Sequence, residues 1–175
     1  SLAMATDATA AERARRRLAL AYLLGASGRF VEATECYDDA LRENPALFGT
    51  AVELATDFAR DGRDDAAEGA LVAALALPGV GQIEADWRAR AHQLYADILR
   101  RQGRLEEAAF HLRATLALHP DDAELRELYG AVLADLGRAE EALAQLRASV
   151  RLAPHHASLR ARLGDLLLRL ERLDE

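Results

Sequence analysis

Gly103-Arg-Leu-Glu-Glu-Ala-Ala-Phe-His-Leu-Arg-Ala-Thr-Leu-Ala-Leu-His-Pro120 returns 34 residues later as Gly137-Arg-Ala-Glu-Glu-Ala-Leu-Ala-Gln-Leu-Arg-Ala-Ser-Val-Arg-Leu-Ala-Pro154. The two runs share Gly-Arg, Glu-Glu-Ala, Leu-Arg-Ala, a late leucine (Leu118, Leu152) and the closing proline. A period of that size marks a stacked-repeat protein, in which each unit buries its apolar face only against its neighbours. The chain is therefore expected to work by presenting a surface.

Outward from these runs, Gly28 and Gly62 are again 34 residues apart. Glycine just past the last apolar residue ends a helix, because it takes the left-handed conformation that closes one. The chain divides into units at about 14–45, 48–81, 89–120 and 123–154, with a half unit at 157–175 and an insert at 82–88. Residues 1–9 are small and polar; Ser1-Leu2-Ala3 ahead of Met4 reads as a cloning remnant and the stretch as frayed. The array is thus placed over 10–175.

Each unit reads as two helices. In the first, Leu20, Leu23 and Leu24 fall on one side, and the second helix, from about Phe30 to Glu43, is expected to bury Val31, Tyr37, Ala40 and Leu41. The next unit turns Leu54, Phe58, Ala67, Leu71, Ala74 and Leu75 inward, and Pro78-Gly-Val-Gly81 makes a loop. Ile83 and Trp87, four residues apart, predict that the insert extends the following helix backward. Then come Tyr95, Leu99, Ala108, Leu112 and Leu116, followed by Tyr129, Gly130, Leu133, Ala142, Leu146 and Val150. Asp121 with Glu124 reads as a helix start. A last helix runs from Ser158 to about Glu171 with Leu163, Gly164 and Leu167.

Half of the 175 residues are hydrophobic (51%) and 29% are charged, which suits one soluble array built mainly of Ala and Leu, since aromatics are only 5%. All 22 basic residues are Arg, a bacterial-like composition. A net charge of −7 argues against a broad nucleic-acid or anionic-membrane surface. Arg13 to Arg17 followed by Leu18 to Leu24 and Gly25 to Ser27 has the order of a secretory signal, yet the same residues fit the repeat register, and the apolar run is too short for a membrane span. The single Cys36 rules out an intrachain disulfide and leaves the compartment open, with cytoplasm favoured.

In register, the units resemble tetratricopeptide repeats. That family's 34-residue pattern sets a large, a small and a large residue on the first helix, Gly at the turn, then Ala, a large and a small residue on the second, and Pro. The first unit supplies Leu20, Ala21, Leu24, Gly28, Ala33, Tyr37, Ala40 and Pro45. The second supplies Leu54, Ala55, Phe58, Gly62, Ala67, Leu71 and Ala74. The third supplies Tyr95, Ala96, Leu99, Gly103, Ala108, Leu112, Thr115 and Pro120, and the fourth Tyr129, Gly130, Leu133, Gly137, Ala142, Leu146, Ser149 and Pro154. The family's early tryptophan is missing, with Arg17, Ala51, His92 and Arg126 in its place. The resemblance implies an all-α, right-handed α-solenoid of stacked antiparallel helix pairs, four units plus a half unit and about nine helices.

It also implies a concave groove lined by the first helix of each unit. The groove positions common in the family fall here on Arg90, Gln93, Asp97, Arg100 and Arg101, then Glu124, Glu127, Ala131, Ala134 and Asp135, then Ser158, Ala161, Asp165, Leu168 and Arg169. A basic stretch would stand beside an acidic one. The carboxylate-holding Lys and Asn of chaperone-binding members have no counterpart, because the chain lacks Lys and its one Asn, Asn44, lies in a turn.

Enzymatic signals are absent: no phosphate loop, no Gly-x-Ser-x-Gly and no His-Glu-x-x-His. No metal or cofactor is expected. His155-His156 reads as a solvated pair, His111 and His119 lie too far apart on one helix to share an ion, and Cys36 reads as a small filler. Trp87 covers the groove between repeats or, alternatively, anchors a partner. Leu159, Leu163, Leu166, Leu167 and Leu170 give the last helix a broad apolar face, which suggests further chain or a homo-oligomer through that helix; Trp87, Leu159, Leu166 and Leu170 are the candidate interface. The expected function is a non-catalytic protein-interaction scaffold holding a peptide or extended segment in its groove. The alternatives are a docking arm of a longer enzyme, such as a transferase, and a self-association module.

Overall fold

The computed structural model describes residues 2–78 and 82–170, with side chains over 9–78 and 85–170. The described residues form α1 (Leu2–Ala26), α2 (Phe30–Glu43), a single 3-10 turn (Pro45–Leu47), α3 (Phe48–Arg60), α4 (Asp64–Ala76), α5 (Gln82–Arg101), α6 (Leu105–Leu118), α7 (Ala123–Asp135), α8 (Ala139–Leu152) and α9 (Ala157–Arg169), with no strand among them. The backbone sorts into two compact units, Ser1–Ile98 and Leu99–Glu175, divided within α5.

The joints follow from the Gly-Arg pairs. Gly103 and Gly137 have φ of +76°, in the left-handed region. The next N–H therefore swings back over the finished helix: Arg104 donates to Leu99 O at 2.8 Å, and Arg138 to Leu133 O at 2.9 Å. The same bonds close α1 and α3, from Arg29 to Leu24 O and from Arg63 to Phe58 O. Each of those arginines then stands at the head of the next helix. Arg104 and Arg138 fork onto Glu107 and Glu141 with paired bonds of 2.6 and 2.7 Å, and Arg29 pairs likewise with Glu32. In the second repeat Ala66 stands where the acid would be. There Arg63 Nη2 donates instead to Ala26 O at 2.9 Å, the carbonyl at the end of α1.

In the first unit α1 packs on α2, α3 on α4, and α2 on α4. Small residues let the backbones approach: Ala33 and Ala67 are buried, and Gly69 of α4 faces Thr34 of α2. Tyr37, Leu41, Phe58 and Leu71 fill the space so opened, and Tyr22 stacks on Phe58 with ring centroids 4.7 Å apart. In the second unit α7 packs on α6 and α8, and α9 on α7 and α8. Gly130 admits Leu146, whose Cγ would lie 2.9 Å from an added Cβ, and Ala108 and Ala142 are buried. Burying a leucine such as Leu112 or Leu133 contributes about 1.5–3 kcal/mol. The Ser149 hydroxyl, buried, donates to Ala123 O at 2.7 Å and ties α8 to the start of α7.

Several expectations are corrected. Val31 is 74% exposed, because the inward stripe of α2 is Ala33, Tyr37, Ala40 and Leu41, and Val31 lies two residues off it. Leu20 and Leu23 are 48% and 63% exposed; of the three expected leucines Leu24 alone turns inward, in line with Ala14, Leu18 and Ala21. Leu54, Leu75, Leu116, Val150 and Leu163 are half-buried. The cap of α7 is Asp122, whose carboxylate accepts from Leu125 N–H at 2.9 Å, and not Asp121. α1 begins at Leu2, ahead of the expected start near residue 10. The insert does extend the next helix, since α5 starts at Gln82. The expected turn at 79–81 and the tail at 171–175 lie outside the described residues.

Candidate functional site

In the second unit, the end of α5 and the facing sides of α7 and α9 enclose an open cleft of about 230 Å³. Its lining includes Arg100, Ala131, Ala134, Asp135, Asp165 and Arg169, all placed in the groove by sequence. The turn at Gly103 and the α7–α8 hairpin bring them together. Leu128, Leu146 and Leu166 supply an apolar floor. Arg162 also lines the cleft and pairs with Glu127, a carboxylate only 17% exposed, so α9 is tied to α7 beside the opening. Asp135, Asp165 and Arg169 are exposed and make no ion pair among the described residues.

The other predicted groove residues are not gathered there. Arg90, Gln93 and Asp97 belong to the first unit, on α5, where the Arg90 guanidinium sits 5.4 Å from the Trp87 ring centroid. Arg101 and Glu124 are exposed outside the cleft. Trp87 is half-buried against the bare backbone of Gly49, where an added Cβ would fall 2.9 Å from Trp87 Cε2. Of the leucines expected at an α9 interface, Leu159 and Leu166 are 1% and 6% exposed, because α9 already packs on α7 and α8. Leu170 is half-buried, and Leu168, at 58%, is the exposed leucine of that helix.

Sequence reasoning missed a second cleft. In the first unit Arg15, Leu18, Ala19, Tyr22 and Leu23 of α1 face Leu47, Thr50 and Leu54 across about 510 Å³. The register positions of Arg90, Gln93 and Asp97, carried back to the first repeat, fall on Arg15, Leu18 and Tyr22.

Among the described residues no group of three or more His, Cys, Asp or Glu could hold a metal ion. No described helix is long and apolar enough to cross a membrane. Burial raises the Cys36 thiol above its ordinary value, so it is held as the less reactive thiol form.

Tandem helix hairpins with glycine joints and open clefts on their first helices define a helical-repeat protein. Two family profiles, both described as tetratricopeptide repeat, match residues 89–132 and 132–175. The chain belongs to the tetratricopeptide-repeat family. Its fold is similar to solved structures of that type. MamA from Desulfovibrio magneticus RS-1 has a TM-score of 0.64 at 17% identity, over 94% of this chain and 88% of that one. YrrB, a tetratricopeptide-repeat protein with an unusual peptide-binding site, has a TM-score of 0.62 at 21% identity, over 89% and 77%. PilF of Pseudomonas aeruginosa has a TM-score of 0.60 at 24% identity, over 92% and 71%. No curated protein matches the chain by sequence.

Proposed function

We propose that the chain is a protein-interaction scaffold whose second unit holds an extended peptide segment along the cleft between α7 and α9. One observation carries this. Asp135, Asp165 and Arg169 line an open cleft with an apolar floor and have no ion-pair partner among the described residues. Charges of both signs over apolar contact area suit a peptide, whose backbone supplies donors and acceptors and whose side chains supply charge. The tetratricopeptide repeat is in general a non-catalytic interaction module, which supports the same reading.

The test is affinity capture with the full chain against a chain carrying Asp165→Arg with Arg169→Glu. Both residues are exposed, so the fold is expected to persist. The wild-type chain should retain protein partners that the reversed cleft releases. Identical partner sets, retained with equal strength, would sink the assignment.

A further inference from the structure

We propose that the apolar cleft of the first unit docks a peptide segment combining large apolar side chains with a neighbouring acidic one. This rests on reading the chain as a peptide scaffold, and it adds a second subsite with its own ligand chemistry. The cleft, at about 510 Å³, falls within the roughly 300–1,000 Å³ usual for ligand sites. Leu18 and Leu47, at 4% and 8% exposed, form its fixed walls. Leu23, by contrast, is 63% exposed and lines the same cleft, so apolar area there stays in contact with water. Removing that area from water favours an apolar occupant.

Charge selects among apolar occupants. Among the described residues Arg15 is the only ionisable one in the cleft lining apart from the phenol of Tyr22, and it is exposed. Its neighbours on α1 are already engaged, Arg16 with Glu12 and Arg17 with Glu43. Arg15 has no such partner among the described residues. In a chain of net charge −7, an unneutralised guanidinium at the mouth of an apolar cleft is a local exception. It complements a carboxylate set beside the apolar side chains, and a fork-shaped cation binds a carboxylate through two parallel hydrogen bonds. Thr50, on the opposite wall, offers a hydroxyl to the backbone of the same segment.

The experiment pans a phage library of random dodecapeptides on the full chain. Enriched sequences are then remeasured as labelled synthetic peptides by fluorescence anisotropy. The expected result is enrichment of peptides with two or more large apolar residues and an adjacent Asp or Glu. Leu23→Ser should weaken them about tenfold, the loss of one apolar contact worth of binding energy. Arg15→Glu should weaken them about fivefold by placing like charges together. Asp165→Arg with Arg169→Glu should leave these peptides bound. Both Leu23 and Arg15 are exposed, so unchanged far-ultraviolet circular dichroism is expected for each variant.

Enriched peptides that lack acids, or that survive both first-unit variants, would overturn the proposal. If their binding is lost only with the Asp165 and Arg169 reversal, the scaffold reading stands and this subsite falls. A concentration-dependent dimer abolished by Leu23→Ser would put a second copy of the chain in the cleft and also overturn it. No enrichment at all would remove both readings.

Discussion

Thr34 Oγ1 lies 2.5 Å from the point a Cβ would occupy on Gly69, so α2 and α4 meet where one of them carries no side chain. The hydroxyl is held in place by its bond to Phe30 O at 2.9 Å. Gly69→Ala should therefore destabilise the chain by about 1–3 kcal/mol through overpacking. With Thr34→Ala added, the nearest remaining neighbours, the Cβ of residue 34 and Phe30 O, would lie 3.7 and 3.8 Å away, ordinary contact distances. The double variant should recover the loss and gain the roughly 1 kcal/mol that alanine holds over glycine inside a helix. Urea unfolding of the two single variants and the pair measures this; strict additivity would refute the contact.

Tyr37 is fully buried, and its hydroxyl finds no hydrogen-bond partner among the described residues. Burial, with a smaller contribution from Tyr22, pushes its ionisation above the ordinary range. Tyr37→Phe removes the orphaned group and keeps the ring. It should raise stability by about 1 kcal/mol, the lower end of what an unsatisfied buried donor costs. A lower unfolding midpoint would show that the hydroxyl has a partner after all.

Ala142 is fully buried where α7 and α8 approach, and its carbonyl oxygen lies 3.3 Å from a Cβ placed on Gly130. Ala142→Leu should cost about 1–3 kcal/mol. An unchanged melting midpoint would put the repeat register in error.

The Arg138 guanidinium forks onto Glu141 and holds its carboxyl below the ordinary 4.5, chiefly through that hydrogen bond. A depressed carboxyl contributes stability that is present above its unfolded value and is lost as pH falls through its folded one. Carbon-detected NMR titration should place the Glu141 midpoint under 4.5, and Arg138→Ala should return it there. Glu107 should respond to Arg104→Ala in the same way.

His111 is half-buried with the Phe110 ring edge-on at 5.3 Å. Burial lowers its pKa from the ordinary 6.5; Glu107 opposes the shift and Arg104 adds to it. The unfolded chain thus binds the proton more readily. Stability should fall as pH drops below about 6.5 and level off beneath the lowered folded value. His111→Gln should flatten that part of the stability–pH curve, in a window above the carboxylate one. An identical slope in both chains would contradict it.

The fold was legible because alanine and glycine at fixed spacing have few other uses. Ala33, Ala67, Ala108 and Ala142 are all buried, and Gly28, Gly62, Gly103 and Gly137 all take positive φ. Leucines misled the reading, because a leucine is apolar whichever way it points. Leu23 and Leu159 look alike in sequence, yet one lines an open cleft and the other is buried by α9's packing on α7 and α8. The cleft of the second unit was half legible. Asp135, Asp165 and Arg169 follow from register, whereas Arg162 lies off it and lines the cleft while pairing with Glu127 of α7. That pairing links residues 35 positions apart, a relation that helix packing sets and spacing within one repeat does not.

The bond from Arg63 to Ala26 O has a consequence for alignment. Forked pairs such as Arg104 with Glu107 sit inside one hairpin and would survive if that hairpin slid along its neighbour. Arg63 reaches back to the hairpin before it, so any slippage or rotation between those two would break the bond. An alanine at position 66 thereby turns a local clasp into a peg that keys the second hairpin to the first.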